Sequence, residues 1–354
     1  MGSLVDGRPG DRSGYTFRYL AVGELALMND LYNRCHHADR SMAEAQWLYK
    51  KHAYGEAIIL GAFTADNALA GVLPAIPHKF VRGGHEESGC QLVDAVVAPE
   101  HRNRGLFGHL VKLVCEMAEQ RNLTVFAFPN DQSLSVYRKT GLLQSIGACE
   151  TRVKVLSWPK YVRYKLGLTG GESGEQTPPG DAASLSDGDV SLVPVSRFDV
   201  DFEELHEEMA RVVVEFALRR RDFLNWRYFG STQKHYQVAL IMRAERALGY
   251  VVVRVINRIA HVIDVFVEPD RLVARKTASL VTGWARRMGA IAVYFSTTKG
   301  NFVQHAFRRV GFLLTKKGAE VVQDPKSLGR LTALHHRGVA FGDFYFVMGD
   351  GDFY

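Results

Sequence analysis

One segment predicts the fold around it: Val97-Ala-Pro-Glu-His-Arg-Asn-Arg-Gly-Leu-Phe-Gly-His-Leu110. It runs from the end of an apolar strand through a short polar turn into the N-terminus of an amphipathic helix. A helix N-terminus presents unpaired N–H groups and the positive end of the helix dipole, and a glycine in the turn lets the backbone close on a diphosphate. Arg102 and Arg104 add positive charge for phosphate oxygens. The segment predicts a phosphate-binding turn; the alternative is a basic turn that binds no ligand.

The chain also contains an internal repeat. Asp94-Ala-Val-Val-Ala-Pro-Glu100 is matched by Asp264-Val-Phe-Val-Glu-Pro-Asp270, which begins 170 residues later (264 minus 94). Tyr137-Arg-Lys-Thr-Gly-Leu142 is matched in the same register by Phe307-Arg-Arg-Val-Gly-Phe312. Two matches in one register indicate two copies of one structural unit. The length of 354 residues suits two domains.

Both copies predict the same order of elements, a mixed α/β arrangement. Apolar runs predict strands over residues 57–63, 71–76 and 91–98 in the first copy and over 236–242, 249–256 and 261–267 in the second. A helix follows the proline in each copy, and then come a further strand and a further helix. The predicted segments are a poorly ordered tail (1–14), an N-terminal domain (15–166), a flexible linker (167–189) and a C-terminal domain (190–354).

Composition restricts the class of protein. The chain is 47% hydrophobic and 23% charged, which is typical of a soluble globular protein. It has neither an apolar run near roughly 18 residues nor a signal-peptide core, so we expect a cytoplasmic location and no membrane interaction. The four cysteines show no spacing that suits zinc, so we expect no metal. The net charge of +6 favours an anionic ligand and is too small to indicate nucleic acid.

The turn resembles the acyl-CoA loop of the GNAT acetyltransferase family, Gln/Arg-x-x-Gly-x-Gly/Ala after a strand ending in Val-x-Pro. Arg102-Asn-Arg-Gly-Leu-Phe107 departs from that pattern at its last position, where Phe107 replaces a small residue and Gly108 follows. The resemblance implies an acyl-CoA-dependent N-acyltransferase of the α/β (α+β) class. It also implies two tandem GNAT-like domains, each a mixed, mostly antiparallel sheet flanked by helices. The residues implied to bind acyl-CoA are Val96, Val97, Arg102, Asn103, Arg104, Gly105, Leu106, Phe107, Gly108, Asn130, Ser133 and Tyr137.

A second segment is similar to the family after the strand over residues 124–128. GNAT enzymes splay this strand from its neighbour so that pantetheine can pair with backbone, and they use Asn, a small polar residue and Tyr beyond it. Asn130, Ser133 and Tyr137 stand at those places. The resemblance implies that Tyr137 is the general acid that protonates the departing thiolate. The alternative is a core tyrosine that packs the helix on the sheet.

The second copy lacks these chemical groups. Its turn is Leu272-Val-Ala-Arg-Lys-Thr-Ala278, which contains no glycine, and Phe307 replaces Tyr137. A glycine-free, β-branched turn cannot easily close around a diphosphate, and Phe307 has no proton to give. We therefore expect residues 190–354 to be a degenerate copy that shapes the acceptor site or an interface.

The general base is less defined by sequence. Asp94 lies on the strand that leads to the turn, but Asp264 occupies the same place in the second copy, so a scaffold hydrogen bond is the alternative. Gln91 stands where some GNAT enzymes carry a base glutamate. The other candidates are His78, His85 and His101.

Aromatic and basic residues are the candidates for acceptor binding. Trp47, Tyr49 and Trp226 offer ring faces for a sugar or nucleobase and Arg227 could meet a phosphate, although ordinary packing is the alternative. The two-copy layout resembles bacterial GNAT proteins that acylate nucleotide-linked amino sugars, which implies a small-molecule amine acceptor. It implies no nucleic acid partner and leaves a homo-oligomer open.

Two other functions remain open from sequence. A protein or peptide N-acetyltransferase would need an open acidic groove, which Asp343, Asp350 and Asp352 could supply. A non-catalytic acyl-CoA sensor would bind the thioester without turnover.

Overall fold

The computed structural model describes residues 11–12, 14–168, 184–335 and 340–351. These residues form two compact units. Unit 1 comprises the described residues of 1–79, 87–145 and 321–330, and unit 2 those of 80–86, 146–320 and 331–354. Among the described helices, none has the length and apolarity needed to cross a bilayer.

Strands and helices alternate along the described chain. The strands are β1 (Asp11–Arg12), β2 (Tyr15–Tyr19), β3 (Ile58–Thr64), β4 (Leu69–Arg82), β5 (His85–Leu92), β6 (Val96–Val97), β7 (Thr124–Ala127), β8 (Gln144–Val155), β9 (Leu185–Asp187), β10 (Val190–Val195), β11 (Glu215–Ala217), β12 (Gln237–Arg243), β13 (Arg246–Ile256), β14 (Ile259–Val267), β15 (Ala292–Thr297), β16 (Leu313–Gln323) and β17 (Phe344–Tyr345). The helices are α1 (Leu25–His36), α2 (Met42–Tyr49), α3 (Leu106–Gln120), α4 (Asp131–Thr140), α5 (Trp158–Lys165), α6 (Glu203–Ala210), α7 (Arg221–Phe229), α8 (Arg271–Arg287), α9 (Phe302–Arg309) and α10 (Pro325–His335).

Unit 1 contains an antiparallel series of strands, β1 with β2, β2 with β3, β3 with β4, and β4 with β6. β5 pairs with β7 in parallel, and the end of β16 pairs with β7 in antiparallel. The helix α3 covers this sheet because Leu106, Leu110 and Val114 fall on one of its faces and are buried in the core. The helix that the sequence predicts after Pro99 is confirmed.

Unit 2 also contains a mixed set of paired strands with a helix packed on it. β9, β10, β12, β13 and β14 pair successively in antiparallel, β14 pairs with β15 in parallel, and β15 pairs with β8 in antiparallel. The helix α8 buries Val273, Leu280 and Trp284. The predicted class, a mixed α/β fold with mostly antiparallel sheets and flanking helices, is confirmed.

The compact units do not coincide with the contiguous domains predicted from sequence. Residues 146–166 belong to unit 2, because β8 pairs with β15 over six residues from Glu150 to Val155. Residues 321–330 belong to unit 1, because Val322 pairs with Ala127 and the Asp324 carboxylate accepts a hydrogen bond from the Val125 N–H. The predicted N-terminal domain thus gives residues 80–86 and 146–166 to unit 2, and the predicted C-terminal domain gives residues 321–330 to unit 1.

Two segments predicted to lack order contain strands. β9 lies within the predicted linker and pairs with β10, and β1 lies within the predicted tail and pairs with β2. The other residues of these two predictions that fall in 1–10, 13 and 169–183 lie outside the described part of the chain.

Unit 2 is expected to lose stability in acid through His206. Its ring stacks near Phe216 and Phe266, and its Nε2 accepts a hydrogen bond from the Arg219 N–H. Burial, together with the charges of Arg219 and Arg220, lowers the pKa of His206 to about 4. An unfolded histidine titrates near 6.5, so the unfolded chain binds more protons between pH 6.5 and 4.

The stability contribution of His206 is therefore complete above pH 6.5 and is lost as the pH falls toward 4. We expect about 1–2 kcal/mol less stability from this group at pH 5 than at pH 7, measured by urea unfolding. His206→Gln should make the pH dependence shallower over this interval. An unchanged slope in that variant would show that His206 does not titrate as described.

Candidate active site

The N-terminus of α3 is open to a ligand. Its N-cap is Gly105, which has a φ of 74° and makes no side-chain capping hydrogen bond. Asn103 in the same turn also has a left-handed φ, of 61°. Glycine accepts this conformation without cost and asparagine at little cost, so the sequence of the turn permits this path. The turn leaves the first amides of a 15-residue helix uncapped by side chains of the described residues.

A cavity of about 750 Å³ opens at this helix start, between α3, α4 and β6. Most residues that the resemblance assigned to acyl-CoA line it. They are Val96, Val97, Arg102, Asn103, Gly105, Leu106, Phe107, Gly108, Asn130 and Ser133. Arg104 and Tyr137 are not among the lining residues. The volume lies within the ordinary range for pockets that bind small molecules and cofactors.

The walls of the cavity are basic. Arg102 lies at the mouth, where its Nε donates a hydrogen bond to the Val97 carbonyl at 3.1 Å. Lys112 and Lys139 also line the cavity. Together with the positive end of the α3 dipole, these cations favour an anionic ligand. Arg104 instead donates to the Glu100 carbonyl at 3.4 Å.

Sequence reasoning missed both lysines. Gly105, Gly108 and Lys112 recur at intervals of three and four residues, which places them on one face of α3. That spacing was a usable signal for Lys112. Lys139 could be identified only from the structure, which shows that α4 lines the same cavity.

The strand beside the cavity is interrupted. Asp94 adopts a left-handed φ of 46° between β5 and β6. The parallel pairing of β5 with β7 ends at Leu92 and Ala127, whereas Val97 pairs with Gly71 of β4. Because β6 both joins β4 and lines the cavity, its backbone lies beside the space where an extended ligand would run.

Asp94 is held by two neighbours. Arg40 forms an ion pair with Asp94 at 2.5 Å, and the hydroxyl of Tyr49 donates to the same carboxylate oxygen. Burial raises the pKa of Tyr49 well above its usual value, and the Asp94 charge adds to the effect. Both contacts thus hold one oxygen of the Asp94 carboxylate at the point where the strand is interrupted.

Unit 2 contains the same trio of residue types. Asp264 accepts hydrogen bonds from Tyr228 and Tyr250, both at 2.7 Å, and lies 3.5 Å from Arg219. Its presence in the copy without the glycine turn favours a scaffold role for such aspartates. The assignment of Asp94 as general base stays a prediction.

The other candidate bases occupy different environments. Gln91 and His78 are buried, and the ring of His78 lies 4.9 Å from that of Phe126. His101 lines the cavity and its Nδ1 lies 2.8 Å from the Tyr15 hydroxyl, whereas His85 is exposed. Among the described residues, no group of three or more His, Cys, Asp or Glu side chains is arranged to hold a metal ion.

Tyr137 is buried, with 3% of its surface exposed, in the core of unit 1. Its ring centroid lies 5.6 Å from that of Phe107, and Val136, one residue earlier, lines the cavity. Phe307, its counterpart in the second copy, stacks on Phe295 at 4.0 Å. Packing therefore occupies the ring of Tyr137, and the role of its hydroxyl stays a prediction.

The residues predicted to bind the acceptor are largely interior. Trp47 and Tyr49 of unit 1 are 5% and 0% exposed, and Arg227 of unit 2 is 7% exposed. Arg227 donates to the Gly351 carbonyl at 2.5 Å, and the ring of Trp226 lies 5.6 Å from that of Phe223. Packing explains this burial, and the predicted role in acceptor binding gains no support from it.

Asp350 does not contribute to the acidic groove that the C-terminal aspartates suggested. That residue is buried, and Arg219 binds both of its carboxylate oxygens at 2.8 and 3.0 Å. The Asp343 carboxylate accepts a hydrogen bond from the Ala340 N–H. Asp352 lies outside the described residues. The charge of Asp350 is neutralised internally and is not available to a peptide.

Comparison with known proteins agrees with this geometry. Residues 16–143 match the model of the acetyltransferase (GNAT) domain family, a segment that contains the glycine turn, α3 and α4. No curated protein matches the chain. Residues 16–143 therefore match a GNAT acetyltransferase domain, which supports an acyl-CoA-dependent N-acyltransferase.

Several solved structures share the fold over most of the chain. A probable N-acyltransferase from Enterococcus faecalis is 13% identical, with a TM-score of 0.61, covering 87% of this chain and 71% of that one. A GCN5-related N-acetyltransferase from Anabaena variabilis is 14% identical, with a TM-score of 0.61, covering 87% and 72%. An N-myristoyltransferase from Saccharomyces cerevisiae with bound myristoyl-CoA is 10% identical, with a TM-score of 0.56, covering 91% and 85%. At such identities these likenesses establish the fold.

Proposed function

We propose that unit 1 binds acyl-CoA in the cavity at the start of α3 and that the chain transfers the acyl group to a primary amine of a small molecule. The observation that carries this proposal is the uncapped helix start at Gly105, which opens into a basic cavity. Its amides can donate to a diphosphate, and Arg102 can add a charged hydrogen bond. A nucleotide-linked amino sugar is the acceptor class that we propose.

The second copy supplies a contrast that supports this assignment. The N-cap of α8 is Asp270, whose carboxylate accepts hydrogen bonds from the amides of Leu272 and Val273 at 2.7 and 2.9 Å. A carboxylate already occupies the donors that a diphosphate would need. The helix start in unit 1 lacks such an internal anion, as expected of a site that receives one from a ligand.

The proposed reaction is a direct attack. The amine nitrogen forms a bond to the thioester carbonyl carbon, and the carbon–sulfur bond then breaks. Backbone N–H groups near Val96 and Val97 would stabilise the negative charge on the carbonyl oxygen. The proton lost by the amine would go to Asp94 or to water, and Tyr137 would give a proton to the thiolate of CoA.

A pair of arginine variants tests the position of the diphosphate. Arg102→Gln is expected to weaken acetyl-CoA binding about 10-fold, because a charged hydrogen bond to phosphate contributes roughly 1.5–3 kcal/mol. Arg104→Gln should change the dissociation constant less than about 2-fold, since its guanidinium contacts Glu100 and does not line the cavity. Calorimetric titration with acetyl-CoA measures both constants.

The two variants are a matched pair, because each removes one positive charge from the same turn. The proposed diphosphate position would be wrong if Arg104→Gln bound acetyl-CoA more weakly than Arg102→Gln does. It would also be wrong if the parent chain bound no acetyl-CoA. The acceptor is tested separately, by release of free CoA thiol with a nucleotide-linked amino sugar and with its N-acetylated form as the control. Turnover with peptides and none with amino sugars would replace the proposed acceptor class.

A further inference from the structure

A second cavity, of about 800 Å³, lies within unit 2 between α8 and α9. Its lining is strongly basic. The cationic and titratable side chains in it are Arg271, Arg275, His305, Arg308 and Arg309. All five are exposed, so the charges face the open cavity and solvent. No feature of the proposed acyl transfer uses them.

The internal repeat places this cavity where unit 1 has its own. Lining residues Leu272, Arg275 and Arg309 stand 170 positions after Arg102, Gly105 and Lys139, which line the cavity of unit 1. Gly300 and Asn130 differ by the same 170 positions and also line the two cavities. The second copy has therefore kept a cleft between the corresponding helices after losing the glycine turn.

The means of binding must differ between the two clefts. Asp270 occupies the amides at the start of α8, so a ligand cannot use them as it would use those of α3. Arg275 stands where unit 1 has Gly105, and it lies in the second turn of α8. Guanidinium groups bind phosphate through paired, charge-assisted hydrogen bonds, without help from backbone amides.

Within the described part of the chain, the four arginines have no acidic counter-charge. Among the described residues, no acidic side chain forms an ion pair with any of these four guanidinium groups. Other cations of unit 2 do have acidic partners, such as Lys276 with Asp189 and Arg246 with Glu208. Clustered like charges repel one another, and a multivalent anion would relieve that repulsion.

We propose that the unit 2 cavity binds a ligand with adjacent phosphate groups, of the nucleoside diphosphate class, through Arg271, Arg275, Arg308 and Arg309. The side chains of α8 would approach the diphosphate from one side and those of α9 from the other. This inference does not depend on the proposed acyl transfer, because the residues involved belong to a different cavity.

Titration of the full-length protein tests the inference, with one equivalent of CoA present to occupy the unit 1 cavity. ADP is expected to bind with a stoichiometry of about one per chain, and more weakly as sodium chloride rises. The double variant Arg275→Gln/Arg309→Gln should raise the dissociation constant for ADP about 10-fold or more. Its affinity for the first equivalent of CoA should stay within about 2-fold of the parent value.

Arg286→Gln is the matched control, because Arg286 is an exposed arginine in the last turn of α8 and does not line the cavity. Inorganic pyrophosphate and a second equivalent of CoA serve as further probes. Pyrophosphate binding equal to that of ADP would show that the diphosphate suffices, and a second bound CoA would identify a CoA-type ligand as the source of the phosphates.

Three results would overturn the inference. The first is no binding of ADP, pyrophosphate or a second CoA. The second is ADP binding that merely displaces the first CoA. The third is an equal loss of ADP affinity in the Arg286→Gln control.

Discussion

Tyr137→Phe is expected to lower kcat for acyl transfer by about 100-fold or more, because general-acid catalysis typically contributes 10²–10⁴-fold. The dissociation constant of acetyl-CoA should change less than about 2-fold, since the substitution leaves the proposed diphosphate contacts at Arg102 and the start of α3 intact. The change removes one hydroxyl from a buried ring that packs near Phe107. Steady-state kinetics and calorimetry on the same preparation measure the two effects.

The chain itself provides a guide to whether this variant folds. Phe307 occupies the corresponding position of α9, where it stacks on Phe295 and contacts the ring of Phe312. A phenylalanine is therefore compatible with such a helix packed on such a sheet. Tyr19→Phe, at a residue packed against the same core, is the control and should leave kcat unchanged.

The outcome separates the two roles considered for Tyr137. A large loss of kcat with unchanged CoA affinity and melting temperature supports a proton donor. A variant with full turnover would assign Tyr137 to packing alone, and the thiolate would then take its proton from water.

Local features of the sequence predicted the elements around the site correctly. The turn from Arg102 to Gly108 needs only neighbouring residues to fix its course, with left-handed backbone at Asn103 and Gly105. Such features depend on short-range sterics, which the order of residues contains.

Pairing between distant strands could not be predicted in this way. The sequence predicts one strand over residues 91–98, but the structure interrupts it at Asp94, whose carboxylate is bound by Arg40 and Tyr49 from another part of the chain. The pairing of β8 with β15 likewise depends on partners more than a hundred residues apart. Strand order of this kind is set by tertiary packing, which local periodicity does not encode.

The cavity of unit 2 shows a different limit of prediction from sequence. The absence of glycine from Leu272-Val-Ala-Arg-Lys-Thr-Ala278 indicated the loss of a backbone-lined site. The absence of glycine did not indicate whether the cleft between α8 and α9 was kept. Arg271 and Arg275 are four residues apart and Arg308 and Arg309 lie in the last turn of α9, so a basic face was present in the sequence. Only the structure places those faces around one space.

The buried network of unit 2 carries the second large effect. Asp264 is 2% exposed and accepts hydrogen bonds from the hydroxyls of Tyr228 and Tyr250. Arg219, also buried, lies between Asp264 and Asp350, at 3.5 and 2.8 Å. Two carboxylates and two phenols thus surround one guanidinium in the interior. Burial raises the pKa of Tyr250 well above its usual value, and the Asp264 charge adds to this effect, so the phenol of Tyr250 stays a hydrogen-bond donor.

Asp264→Asn is expected to lower the free energy of unfolding by about 3–5 kcal/mol, the usual loss when one partner of a buried ionic network is removed. The asparagine would deprive Arg219 of one of its two anions, and its amide nitrogen would face hydroxyls that already act as donors. Urea unfolding at neutral pH, followed by fluorescence, measures the change. Asp94→Asn is the matched control, because Asp94 holds the same place in unit 1 with a more accessible side chain, 12% exposed against 3%. The control should lose less, since solvent can replace part of its hydrogen bonding; equal losses would mean that burial does not set the contribution of these networks.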